Sequence, residues 1–186
     1  MKKLEGRLFV LSSPSGGGKT TVIKELMKKN LDLYYSVSAT TRLPRKGEKE
    51  GIHYFYLDED TFQRKIEEKA FIEWARVHGH YYGTLWSQVE QHLDAGRKVL
   101  LDTDVQGGLN LKKKRPDAVL IFLLPPSMKV LEARLSERGT ESRDDLLKRL
   151  HGAQREIEIA DAYDFQVIND ELENTVQEIT TIIKKA

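Results

Sequence analysis

Short apolar runs and amphipathic stretches take turns along this chain. Leu8-Phe9-Val10-Leu11, Lys98 to Leu101 and Ala118 to Leu124 read as buried strands, and Phe165-Gln166-Val167-Ile168 as a last one. Between them lie helical patterns. Val22, Ile23, Leu26 and Met27 recur at helical spacing within residues 20–29, with lysines on the opposite face. Further helices are predicted over Ser87 to Ala95, ended by Gly96, over Gly107 to Lys114 and over Leu172 to Lys185. Continuous apolar strands alternating with helices predict an α/β fold built on a parallel sheet covered on both faces.

Two regions interrupt this pattern. From about residue 37 to 87 the chain turns aromatic and strand-like. Leu33 to Thr40 reads as one strand, followed by a basic turn broken by Pro44 and Gly47, then His53-Tyr54-Phe55-Tyr56. Asp58 or Asp60 is placed to cap a short helix running to Lys69, with Phe62 and Ile66 on its buried side. Phe71 to Val77 and His80 to Thr84 add two more strand candidates. The second interruption pairs two helices. Ser127 caps one that carries Val130, Leu131 and Leu135 and ends at Gly139; Ser142 with Asp145 resembles a capping box for another, with Leu146, Leu150, Ala153 and Ile157 on its buried face. The expected organisation is a core of residues 1–36, 88–127 and 159–186, a β-rich insert at 37–87 and a helical flap at 128–158.

Length and charge narrow the function. A chain of 186 residues is long enough for one well-buried domain with appended segments. Its 30 Lys+Arg nearly cancel 29 Asp+Glu, which argues against a nucleic-acid coat or a polybasic membrane anchor. With no cysteine there is no disulfide framework and no thiolate metal site. The start of the chain is charged and its first apolar run is short for a secretory leader, so a cytoplasmic protein that binds neither nucleic acid nor membrane is expected.

The stretch with the clearest chemistry is Ser13-Pro14-Ser15-Gly16-Gly17-Gly18-Lys19-Thr20. It joins an apolar strand to a helix N-terminus, where backbone N–H groups can cradle phosphate oxygens. Lys19 can reach terminal phosphates, and the Thr20 hydroxyl is suited to Mg²⁺. The strict pattern has glycine where this chain has Ser13. Asp102 ends an apolar strand, where ligands gather in such sheets, and Asp104 follows two residues later; a carboxylate there helps hold Mg²⁺ or its waters. Arg42 and Arg45 flank Pro44, and two guanidiniums held that close call for an anion between them. Arg134 and Arg138 share a helix face, with Arg149 on the second helix of the flap. Cations that arrive with closure suit phosphoryl transfer.

Taken with Ser36-Val37-Ser38-Ala39-Thr40-Thr41-Arg42-Leu43-Pro44-Arg45, Phe71-Ile72-Glu73-Trp74-Ala75, Tyr81-Tyr82-Gly83-Thr84, Asp102-Thr103-Asp104-Val105-Gln106-Gly107, Arg138-Gly139-Thr140 and Ile168-Asn169-Asp170, the sequence closely resembles the guanylate kinases over nearly its whole length. The resemblance implies a P-loop NTPase three-layer core with a parallel sheet, a β-rich GMP-binding insert and a helical lid. It implies Mg²⁺-dependent, reversible transfer of phosphate from ATP to GMP, and to dGMP. ATP would be held by Ser13, Pro14, Ser15, Gly16, Gly17, Gly18, Lys19, Thr20, Thr21, Arg134 and Asn169. Ser38, Arg42, Arg45, Tyr54 and Tyr82 would hold the GMP phosphate, with Glu73 and Thr84 on the guanine edge and Asp102 near both GMP and the metal. Lys19, Arg42, Arg138 and Arg149 would act on the moving phosphoryl group, and Thr20 and Asp102 on Mg²⁺, partly through water. Two alternatives share the fold: a non-catalytic phosphopeptide-binding domain, and a kinase for another nucleoside monophosphate. The resemblance leaves a homo-oligomer open.

Overall fold

The computed structural model describes residues 6–29, 31–77, 79–136 and 143–186. The chain divides into two units, one of residues 1–10 and 32–118, the other of residues 11–31 and 119–186. The first strand, β1 (Arg7–Ser12), runs from one into the other.

In the first unit β2 (Leu33–Tyr35) lies parallel to β7 (Lys98–Asp102), with Leu33 opposite Lys98 and Tyr35 opposite Leu100. A separate four-stranded sheet follows the order β4-β3-β6-β5, from β3 (Ala39–Thr40), β4 (Phe55–Tyr56), β5 (Phe71–Val77) and β6 (His80–Leu85). Strands β5 and β6 form an antiparallel pair that sets Glu73 opposite Thr84, after a register shift between Phe71 and Glu73. Helix α2 (Glu59–Glu67) covers this sheet. Phe62 is buried against Ala39 and Phe71, and the Phe62 and Phe71 rings stack 4.3 Å apart. Of the two predicted caps for α2, Asp58 is the one used: its Oδ1 accepts from Thr61 N–H at 2.7 Å. Helices α3 (Trp86–Asp94) and α4 (Val105–Lys114) complete the unit, α4 packing on β5.

Three sequence expectations change here. Leu33 to Thr40 is two strands in two sheets, because Ser36-Val37-Ser38 leaves the ladder. Ser36 N–H still bonds Leu100 C=O at 3.0 Å, whereas Phe55 N–H turns to Ser38 C=O at 2.9 Å. The strand at His53 shortens to Phe55–Tyr56, since residues 51–53 form a turn closed by the bond from Lys49 N–H to His53 Nδ1. Helix α4 also starts two residues early, at Val105, with Asp104 as its cap.

In the second unit β1 feeds the glycine loop and α1 (Lys19–Met27), which buries Val22, Ile23 and Leu26. Strand β8 (Val119–Leu124) pairs in parallel with β9 (Phe165–Ile168), and α7 (Leu172–Lys185) packs against β9 and α1 through Val176, Ile179 and Ile183. Helices α5 (Met128–Ser136) and α6 (Arg143–Glu158) pack through Leu131, Leu135 and Ala153, flanked by Leu146 and Leu150, and a single 3-10 turn follows at Ala160–Ala162. Ser127 caps α5 as expected, accepting from Val130 N–H at 3.2 Å. Arg138, Gly139, Thr140 and Ser142 lie outside the described residues. Strands paired in parallel and covered by helices make this a mixed α/β fold, as the hydrophobic pattern predicts.

Candidate functional site

The second unit holds the glycine loop. Gly18 sits at φ +90°, and a Cβ there would crowd Asn169 Nδ2, so the position favours glycine. Asn169 donates to Gly17 C=O at 2.7 Å, and its own C=O accepts from Arg134 Nη2 at 3.1 Å. Arg149 reaches the loop directly, its Nη2 donating to Ser15 Oγ at 2.7 Å. Two arginines from the paired helices and an asparagine after β9 therefore converge on the loop that the sequence singles out. Among the described residues the buried Arg134 Nη1 has no hydrogen-bond partner. A guanidinium N–H in that state is costly, and an acceptor on a bound anion relieves the cost. Thr20 and Thr21 are exposed in the first turn of α1, which has no acidic residue to oppose an anion.

The first unit holds the residues expected to meet the acceptor. Glu73 is only 4 % exposed, and Thr84 Oγ1 donates to its Oε1 at 2.8 Å. A Cβ at residue 107 would come within 2.7 Å of Glu73 Oε2, so Gly107 leaves the second carboxylate oxygen its room. Burial, helped by the charge of Asp104, raises the Glu73 carboxyl to about 7 against the pull of the Thr84 hydrogen bond. Asp104 also does local work: its Oδ1 accepts from Gly107 N–H at 2.8 Å and so caps α4.

A carboxylate of the chain itself meets the Arg42 guanidinium and, at Arg45, the backbone N–H alone. Glu48 takes Arg42 in a fork, Nη2 to Oε1 at 2.9 Å and Nη1 to Oε2 at 3.0 Å. Its Oε2 also accepts from Arg45 N–H at 2.7 Å and Tyr56 OH at 2.8 Å. Burial works against the charge on Glu48, but these donors hold its pKa down at about 2. The Arg42 guanidinium lies 5.3 Å over the Tyr54 ring, and Tyr54 meets Tyr82 edge-on at 6.0 Å. Ser38 is buried, with Oγ 3.4 Å from Asp102 C=O. Burial first, and the Asp102 charge next, raise the hydroxyls of Tyr35 and Tyr54 well above the ordinary phenol value, so both stay protonated donors. Tyr35, which feels the Asp102 charge, and Glu48 were missed by the sequence reading. The signal for Glu48 was available, since adjacent guanidiniums in a turn prompt a search for their counter-ion.

The sequence profile of the guanylate kinases matches residues 5–186. The chain belongs to the guanylate kinase family. A guanylate kinase of Caldanaerobacter subterraneus subsp. tengcongensis is 48 % identical over 97 % of this chain and 88 % of that protein. One of Thermotoga maritima is 45 % identical over 97 % and 87 %. The crystal structure of guanylate kinase from Anaplasma phagocytophilum superposes with a TM-score of 0.83 at 36 % identity, covering 100 % of this chain and 88 % of that one. In guanylate kinase terms, the second unit carries the glycine loop with Arg134, Arg149 and Asn169. The first carries Ser38, Arg42, Arg45, Tyr54, Glu73, Tyr82, Thr84 and Asp102.

Proposed function

We propose that this chain transfers the terminal phosphoryl group of ATP to GMP, forming ADP and GDP, and accepts dGMP by the same route. The observation that carries the base assignment is the buried Glu73 paired with Thr84. Guanine presents N1–H and an exocyclic amine side by side, and an ionised carboxylate accepts both. Adenine has an acceptor at N1 and no amine at C2. Ser38, Arg42, Arg45, Tyr54 and Tyr82 are assigned to the acceptor phosphate, because protonated phenols and guanidiniums are the donors a dianion takes.

The loop from Ser13 to Thr21, with Arg134 and Asn169, is assigned to ATP. Lys19, Arg42, Arg138 and Arg149 are assigned to the charge that moves between the phosphates. Bound with a nucleotide, Mg²⁺ takes phosphate oxygens and water for most of its coordination and needs few protein ligands. The Thr20 hydroxyl and the Asp102 carboxylate are oxygen donors of the right kind, directly or through water; the ion would neutralise phosphate charge. Among the described residues no cluster of three or more His, Asp or Glu is placed to hold a metal by itself, which suits an ion that arrives with its nucleotide. Residues 37–87 form the acceptor region and 128–158 the lid in this reading. Among the described residues no helix is long and apolar enough to cross a membrane, and the site of action is assigned to the cytoplasm.

The test is transfer of label from γ-labelled ATP to a panel of GMP, dGMP, AMP, CMP and UMP. Label in GDP and dGDP is the expected result. Label in another diphosphate overturns the base assignment, and phosphopeptide binding with no turnover favours the non-catalytic alternative.

A further inference from the structure

Glu48 has no part in the assignments above, yet four hydrogen bonds converge on its carboxylate. We propose that Glu48 is a positioning residue: it locks the Arg42 guanidinium and the Arg45 turn into the arrangement that receives the acceptor phosphate. This rests on the reading of Arg42 and Arg45 as phosphate ligands.

The geometry decides between two roles. Glu48 could be a stand-in for the phosphate, holding the arginines until substrate displaces it. That exchange is expensive. Glu48 Oε2 already collects Arg42 Nη1, Arg45 N–H and Tyr56 OH, and Oε1 takes Arg42 Nη2. The two side chains are 11 % and 18 % exposed. A phosphate that took the same edge of Arg42 would strip a largely buried carboxylate of its charged partner, a heavy loss. The pair is therefore one that persists. A guanidinium has two edges suited to bidentate pairing. Glu48 uses the Nη1–Nη2 edge, and Leu43 C=O accepts from Nη1 at 2.7 Å. That leaves the edge built from Nε and Nη2. The Arg42 plane lies over Tyr54, a residue also assigned to the phosphate. Glu48 thus fixes which edge Arg42 offers.

The turn is held by the same residue. Glu48 N–H donates to Arg45 C=O at 3.0 Å while Arg45 N–H donates to the Glu48 carboxylate, a reciprocal closure around Gly47 at φ +89°. Tyr56, on β4, ties the carboxylate to the four-stranded sheet.

Charge counting and positioning predict opposite signs for Glu48→Gln. Removing a negative charge beside the phosphate site would tighten GMP binding by simple Coulomb attraction. Loss of the lock, with the new amide facing a guanidinium donor, would weaken it. Calorimetry of GMP and of guanosine separates the contribution of the phosphate from that of the base. For Glu48→Gln, GMP affinity should fall about tenfold, in line with loss of one charge-assisted contact, and guanosine affinity should hold. The KM for GMP should rise and kcat should fall with it, because Arg42 is also assigned to the moving phosphoryl charge, while the KM for ATP stays near wild type. In an Arg42→Ala background most of that tenfold effect should vanish, because Glu48 acts through Arg42. Tyr56→Phe, which keeps the carboxylate, should weaken GMP binding about two- to threefold in the same direction, and it carries the test if Glu48→Gln does not fold. Tighter or unchanged GMP binding overturns the proposal, as does an equal loss for guanosine or a full effect in the Arg42→Ala background. If the wild-type protein binds GMP no better than guanosine, the phosphate assignment itself falls and the proposal with it.

Discussion

Glu73 carries a conflict that can be measured. Burial raises its carboxyl to about 7, so the folded chain binds a proton more tightly than the unfolded chain does. Stability from the protonated form is complete below the ordinary carboxylate range and is lost as pH rises towards 7, above which an ionised buried carboxylate must be carried. Glu73→Gln, which keeps size and a partner for Thr84, should therefore melt higher than wild type at pH 8, by on the order of 2–3 kcal/mol of stability. The difference should shrink below pH 5. For catalysis the sign reverses: only the ionised form accepts both guanine donors. The pH profile of kcat/KM for GMP should rise with a limb near 7 that Glu73→Gln lacks. Thermal melts and pH-rate profiles on the two proteins check both halves. For Lys19→Ala, assigned to the ATP phosphates, kcat should fall about a hundredfold or more while calorimetric GMP affinity stays at the wild-type level; equal losses in both would contradict the assignment. At this scale the sequence showed residue types and not their partners. Asp104 reads equally as a ligand or a turn acid, and its bond to Gly107 N–H is set by where α4 begins. The arginines of the turn call for a counter-ion, but which carboxylate supplies it shows only once β3 pairs with β4 and brings Tyr56 to Glu48.

The elements were legible where one periodicity ruled. β5, β9 and α7 fall at the residues their patterns predict, because each is long or apolar enough for local sequence to decide. β2 and β3 were not separable from sequence, since Leu33 to Thr40 has strand character throughout and only the pairing partners divide it. Helices α5 and α6 share their own small apolar cluster and carry Arg134 and Arg149 to the loop. If this pair is the proposed lid, its shared core requires the two helices to close together. In hydrogen exchange, residues 128–136 and 143–158 should slow together when ATP and GMP, or a bisubstrate analogue, are added. Unchanged exchange in both helices would contradict a lid.

For the whole molecule, membership of the guanylate kinase family and the α/β fold follow from the match over residues 5–186 and the 0.83 TM-score. The residues proposed for ATP and those proposed for the acceptor fall to different units, although nothing in a linear pattern marks that division: both sets are scattered along the chain. The central claim is transfer from ATP to a guanine nucleotide chosen by a buried carboxylate. Its most direct test is kcat/KM for GMP and for AMP in wild type and Glu73→Gln. The account predicts a wild-type preference for GMP of about 10⁴-fold or more, and a variant that loses most GMP activity and narrows that ratio. A Glu73→Gln protein that keeps the wild-type ratio would contradict it.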